Sequence, residues 1–228
     1  MKPQRKRVLF IVTSANRVGP HGRETGYEFS EVAHPYLVFE EGGYRVDFAS
    51  PAGGRPPEEG FQPGDSASVA FRAGPGFRHL NESAALAAVA LEDYDSIFFP
   101  GGLGPMVDLV DNAAASQAIV QVYERGGVIG AVCHGPAALM DVVMSDGTYF
   151  LEGRNVTAFT EAEEIGHSEE DVPFMIDAAM EEQGARHTCA PPFKEHVVID
   201  GRLVTGQNPA SAAGVARAMR SVLEAAVT

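Results

Sequence analysis

Positive charge is scarce in this chain. Its 228 residues carry 17 Lys+Arg against 31 Asp+Glu, a formal net charge of −14. Binding a phosphate backbone needs a basic face, so nucleic acid is excluded as the main partner. Cysteine is scarcer still. Cys133 and Cys189 stand far apart, with no Cys-x-x-Cys pair. That excludes a disulfide framework and a structural zinc site, and it fits a reducing cytoplasm as the expected location. No apolar window approaches the length of a membrane span, so no membrane is expected among the partners. The start, Met1–Arg7, is basic, but the apolar run behind it, Val8–Val12, is short and no small-residue cleavage site follows. A first buried strand is expected there rather than a leader. Internal repeats, low-complexity tracts and the GxxxxGK[ST] phosphate loop are all missing. With 45% apolar residues, the chain is expected to form one globular domain over 1–228.

What is present is a series of short, continuously apolar runs: Val8–Thr13, Tyr44–Ala49, Ser96–Phe99, Val128–Val132 and Val156–Phe159. Such runs predict strands buried on both faces, as in a parallel sheet. Between them, helical spacing predicts helices over Phe29–Glu41, Ala113–Arg125, Val172–Gln183 and Ala210–Ala225. The alternation predicts an α/β sandwich with right-handed crossovers. Near the end, His196–Ile199, Asp200-Gly201 and Arg202–Val204 read as a β-hairpin. Residues Ser50–Gly76, rich in Pro and Gly, are expected to run over the surface as a long excursion, a lid or an interface loop.

The segment Gly126–Leu139 (GGVIGAVCHGPAAL) carries the chemistry. It reads as a strand, a one-residue corner at Cys133, and a helix. Gly135 permits a tight turn and Pro136 suits a first helical turn. This is the layout of a nucleophile elbow, with Ala131 where such elbows usually have Gly. A helix N-terminus beside Cys133 is expected to favour the thiolate, the form that attacks. The alternative for Cys133 is an inert buried thiol. In open α/β sheets ligands bind at the carboxyl ends of strands, where the loop Phe99–Pro105 (FPGGLGP) also falls. Its backbone N–H groups are candidate oxyanion donors. His21, His79, His167, His187 and His196 are scattered, so no metal site is expected, and His34 before Pro35 is expected to be structural. Cys189, in Thr-Cys-Ala-Pro-Pro, is expected to be incidental.

The ordered set of Thr25-Gly26, Glu31–Tyr36 (EVAHPY), Val46–Pro51 (VDFASP), Asp93–Asp95 (DYD), Phe99–Gly102 (FPGG), Ala131–Pro136 (AVCHGP) and Asp200–Ser211 (DGRLVTGQNPAS) resembles the ThiJ/PfpI superfamily across nearly the whole chain. The resemblance implies a flavodoxin-like three-layer sandwich with a mostly parallel central sheet, completed by a C-terminal β-hairpin and a closing helix. Within the superfamily it points to the branch of glutathione-independent glyoxalases (glyoxalase III) and heat-shock chaperones. That branch implies a cofactor-free conversion of methylglyoxal to lactate, so a small 2-oxoaldehyde is the expected substrate and no cofactor is expected. Carried over motif by motif, Cys133 is the expected nucleophile and His134 the general base or acid. Glu31 is the expected proton relay with a raised pKa, and Glu164 the partner of His134, with Glu163 as the alternative. Gly101, Gly102 and Leu103 are the expected oxyanion and substrate-binding loop. Leu103 stands where many relatives carry histidine, which puts the substrate in question. The resemblance also implies a homodimer and unfolded-protein clients. Other readings are a holdase chaperone, a cysteine hydrolase on the same Cys-His pair, and a redox sensor.

Overall fold

Seven strands form the central sheet of the computed structural model, which describes residues 5–225. The first four residues of the basic start lie outside the described residues. The strands are β1 (Arg7–Ile11), β2 (Arg45–Ser50), β3 (Ala84–Ala85), β4 (Ser96–Phe99), β5 (Val128–Val132), β6 (Val197–Asp200) and β7 (Leu203–Gly206). Their order is β6-β7-β5-β4-β1-β2-β3, and every pairing is parallel except β6 with β7. The register sets Leu9, Ile97, Ile129 and Leu203 side by side across four strands. All four are fully buried, which is why these strands read as continuous apolar runs and not as alternating ones.

Helices α1 (Phe29–Glu41), α2 (Ser66–Ala73), α3 (Ala113–Glu124) and α4 (Ala212–Ala225) cover the sheet. The crossover through α1 runs from β1 toward β2, and that through α3 runs from β4 toward β5, the opposite direction along the sheet. Right-handed crossovers in opposite directions put α1 and α3 on opposite faces. α4 packs beside α1 and against β5 and β7. Gly130 permits this, since a Cβ there would lie 2.1 Å from Met219 Sδ. The direction of winding reverses between β1 and β4, and the loops at the carboxyl ends of the neighbouring strands form the site.

Four expectations need correction. Val156–Phe159 is buried but is not a central strand. Asn155–Val156 pairs with Arg186–His187 in a separate two-stranded ladder, because β6 returns antiparallel and takes the place beside β7. The excursion Ser50–Gly76 is structured: Glu58–Glu59 pairs with Tyr27–Glu28, and Asp65 caps α2 by accepting from the Ala67 and Ser68 amides. His34 on α1 meets Asp65 at 2.6 Å and ties this segment down. The helix expected over Val172–Gln183 spans only Ile176–Glu182, since Pro173 precedes it. The hairpin turn is Gly201-Arg202, with Asp200 already paired to Leu203, one residue later than expected.

Candidate active site

Cys133 follows β5 in the left-handed region, with φ of 61°. For a residue other than glycine this costs about 1–2 kcal/mol. Two backbone hydrogen bonds hold the corner: the Cys133 N–H donates to Gly206 O at 2.9 Å, and Phe159 N–H donates to Cys133 O at 3.0 Å. Gly135 is required because a Cβ there would sit 2.2 Å from Phe99 O. The corner leads into a single 3-10 stretch, Gly135–Leu139, in place of the expected α-helix. The dipole effect on which a favoured thiolate was expected is therefore short. Burial pushes the Cys133 thiol well above its ordinary range, and an ionised Glu31 beside it would push it further. Burial thus works against the thiolate that the corner was expected to favour.

Glu31 lies on the first turn of α1 and is fully buried. Its Oε2 accepts from the Gly101 amide at 2.6 Å and its Oε1 has no partner. Burial, then the charge of Glu28, raises its pKa well above the ordinary carboxyl value, against the pull of the Gly101 amide and the Cys133 thiol. Burial thus favours the neutral form of a carboxyl set beside Cys133. In that state its O–H can donate to a thiolate or to an oxygen bound beside it. Pro35, four residues on, has no N–H for the Glu31 carbonyl, so that carbonyl lacks its usual helical donor. Gly101 makes the approach possible, since a Cβ there would meet Cys133 Cβ and Glu31 Oε2 both at 2.7 Å.

His134 Nδ1 lies 3.3 Å from Cys133 Sγ, and its Nε2 meets Glu164 Oε1 at 2.5 Å. Phe159 packs on the ring at 4.7 Å. Burial pushes the Glu164 carboxyl up, but hydrogen bonds from His134 and Ser168 and the charge of His134 outweigh it and hold the group below its ordinary range. Glu164 is therefore an anion that orients His134. Glu163 faces elsewhere. It completes a capping box with Thr160 and accepts from Gln207 Nε2 at 3.0 Å, Asn208 Nδ2 at 2.7 Å and the Phe193 amide at 2.7 Å.

The loop after β4 offers fewer free donors than expected. The Gly101 amide is committed to Glu31, and the Leu103 amide to Glu59 at 2.9 Å. The Gly102 amide is the one that reaches the Cys133 sulfur. Leu103 is buried in the wall of a cleft of about 570 Å³ above the sulfur. Glu28, Glu59 and Gln62 line it together with Phe159, Phe193 and Pro209. Sequence reasoning missed Ser168, Glu59 and Phe193. Ser168 lies four residues after Glu164, the spacing of one helical turn, and that was a usable signal. Glu59 and Phe193 lie in Pro-rich stretches with no periodicity to place them.

This arrangement sets a buried cysteine, a histidine bonded to Glu164 and a buried carboxyl with a raised pKa beside one cleft, a constellation suited to nucleophilic addition with proton transfer. The chain is similar over its length to proteins of known kind. It is 34% identical to the glutathione-independent glyoxalase hsp3102 of Schizosaccharomyces pombe over 220 residues, covering 90% of this chain and 91% of that one. It is 31% identical to the glutathione-independent glyoxalase HSP31 of Saccharomyces cerevisiae, covering 91% and 93%. Among solved structures, glyoxalase III from Candida albicans superposes with a TM-score of 0.81 at 27% identity, covering 95% and 97%. The family described as DJ-1/PfpI matches residues 23–221, and the chain belongs to that family.

Proposed function

We propose that this protein is a glutathione-independent glyoxalase that converts methylglyoxal to lactate with Cys133, His134, Glu31 and Glu164. The observation that carries the reading is the Glu31 carboxyl, fully buried beside Cys133, where burial pushes its pKa well above the ordinary carboxyl value. A carboxyl beside the thiol favours proton relay over amide cleavage, since moving a proton between two adjacent carbons needs a group that both gives and takes one.

The reaction is an internal redox: one carbonyl carbon is oxidised, its neighbour is reduced, and water is added. Sγ attacks the aldehyde carbon while its proton passes to His134 Nδ1, 3.3 Å away. Burial raises the thiol pKa, so loss of its proton is coupled to the attack. Glu164, already an anion, stabilises the imidazolium that forms. Glu31 gives its proton to the aldehyde oxygen, leaving a hemithioacetal and a carboxylate. That carboxylate takes the proton of the aldehyde carbon, forming an enediolate. Glu31 returns this proton to the second carbon while the proton of the first oxygen passes to the second, which leaves a lactoyl thioester on Cys133. Water releases lactate and restores the thiol. The Gly102 amide stabilises charge at the sulfur.

The test is lactate formation from methylglyoxal without glutathione or added metal, in wild type, Cys133→Ala and Glu31→Gln. Lactate from wild type and none from either variant supports the reading. Folded wild type that makes no lactate overturns it. We include the homodimer in this proposal, with light scattering of the purified chain as its check.

A further inference from the structure

Phe193 carries features that the chemistry above leaves unused. It has φ of 58°, one of four positive values among the described residues other than glycine. The residue is 56% exposed although it is large and apolar, and it lines the cleft. A bulky residue in this conformation, half in water, is strained and gains little from burial, so the surrounding structure must impose it. Glu163 does so. Its buried carboxylate accepts the Phe193 amide at 2.7 Å, and its remaining bonds to Thr160, Gln207 and Asn208 leave it no freedom to move. The ring stands edge-on to Phe159 at 6.1 Å, and Phe159 packs on His134. A continuous apolar wall thus runs from the catalytic histidine to solvent, with Leu103 and Pro209 on the same cleft.

The wall exceeds what methylglyoxal needs. A molecule of about five heavy atoms fills little of a 570 Å³ cleft, which has the size of sites for drug-sized ligands. We infer that Phe193 is a specificity-determining residue that favours 2-oxoaldehydes bearing a bulky apolar substituent, which lies along Phe159 and Phe193 while the aldehyde carbon sits at Cys133. This rests on the glyoxalase reading for its reaction but not for its geometry, and the two can fail separately.

The test compares tert-butylglyoxal with methylglyoxal in wild type, Phe193→Ala and Phe193→Leu. The ring is exposed, so neither variant endangers folding. Phe193→Ala is expected to lower the ratio of kcat/KM for the bulky over the small aldehyde about tenfold, through KM, and Phe193→Leu to keep most of it. A ratio within about twofold of wild type in Phe193→Ala overturns the inference. A second arm needs no turnover. In a Cys189→Ser background, Cys133 is alkylated with iodoacetamide or its N-tert-butyl derivative and followed by intact mass. A preference for the bulky reagent that drops about tenfold in Phe193→Ala supports the wall even if wild type makes no lactate, and an unchanged preference overturns it.

Discussion

Replacing Glu31 with Gln isolates the proton from the shape. The amide oxygen can still accept the Gly101 N–H now held at 2.6 Å, and side-chain volume is kept. Only the acidic proton is lost. A positioned acid–base group contributes about 10²–10⁴-fold to rate. That corresponds to about 2.7–5.4 kcal/mol of barrier, and lactate formation should fall by that factor. Stability should move the other way. The folded pKa of Glu31 lies well above 4.5, its ordinary value, so between the two the native state holds a proton that the unfolded chain has released. Stability from this group is complete below 4.5 and is lost as pH rises toward the folded value. Glu31→Gln removes that loss. Urea unfolding at about pH 5 and about pH 8 should therefore show a smaller decline in the variant than in wild type, the other titrating groups cancelling in the difference. A variant that keeps more than about a tenth of the activity, or one whose stability has the wild-type pH slope, would refute the reasoning.

Three further outcomes can be checked. Ser168→Ala removes a donor that helps hold Glu164 ionised, so the acid limb of the activity profile should move to higher pH, read from initial rates across a buffer series. Gly101→Ala places a Cβ 2.7 Å from both Cys133 Cβ and Glu31 Oε2, and should cost about 1–3 kcal/mol in thermal or urea unfolding together with nearly all activity. Phe10→Ala opens a hole among Phe39, Phe48 and Phe98 under a fully buried ring, and should destabilise by about 3–5 kcal/mol in urea.

The parts legible in the sequence were those whose cause is local. β1, β4 and β5 announce themselves because both faces are buried, and α1, α3 and α4 because one face is. The corner at Cys133 was legible because Gly135 and Pro136 sit beside it. What could not be read depends on partners distant in the chain. The Val156 run looks like any central strand until β6 takes its place. Glu163 and Glu164 are neighbours of one type, and only the fold decides which faces His134 and which the Phe193 loop. The raised thiol pKa was missed because it comes from burial and from Glu31, a residue 102 positions earlier on another element. α2 was missed although Asp65 before Ser66 is a sound cap signal, because the Pro and Gly around it dominated the reading.

The left-handed corner at Cys133 is secured by its own amide and carbonyl, bonded to Gly206 and Phe159, and by the bare backbone of Gly135. None of these contacts involves the sulfur. The scaffold thus behaves as a mount whose fitting can be exchanged: serine at this position would present a hydroxyl at the same point in the cleft, facing the same histidine and carboxyl. The reagent and the holder are encoded separately, and a lineage or a designer could alter one while leaving the other intact.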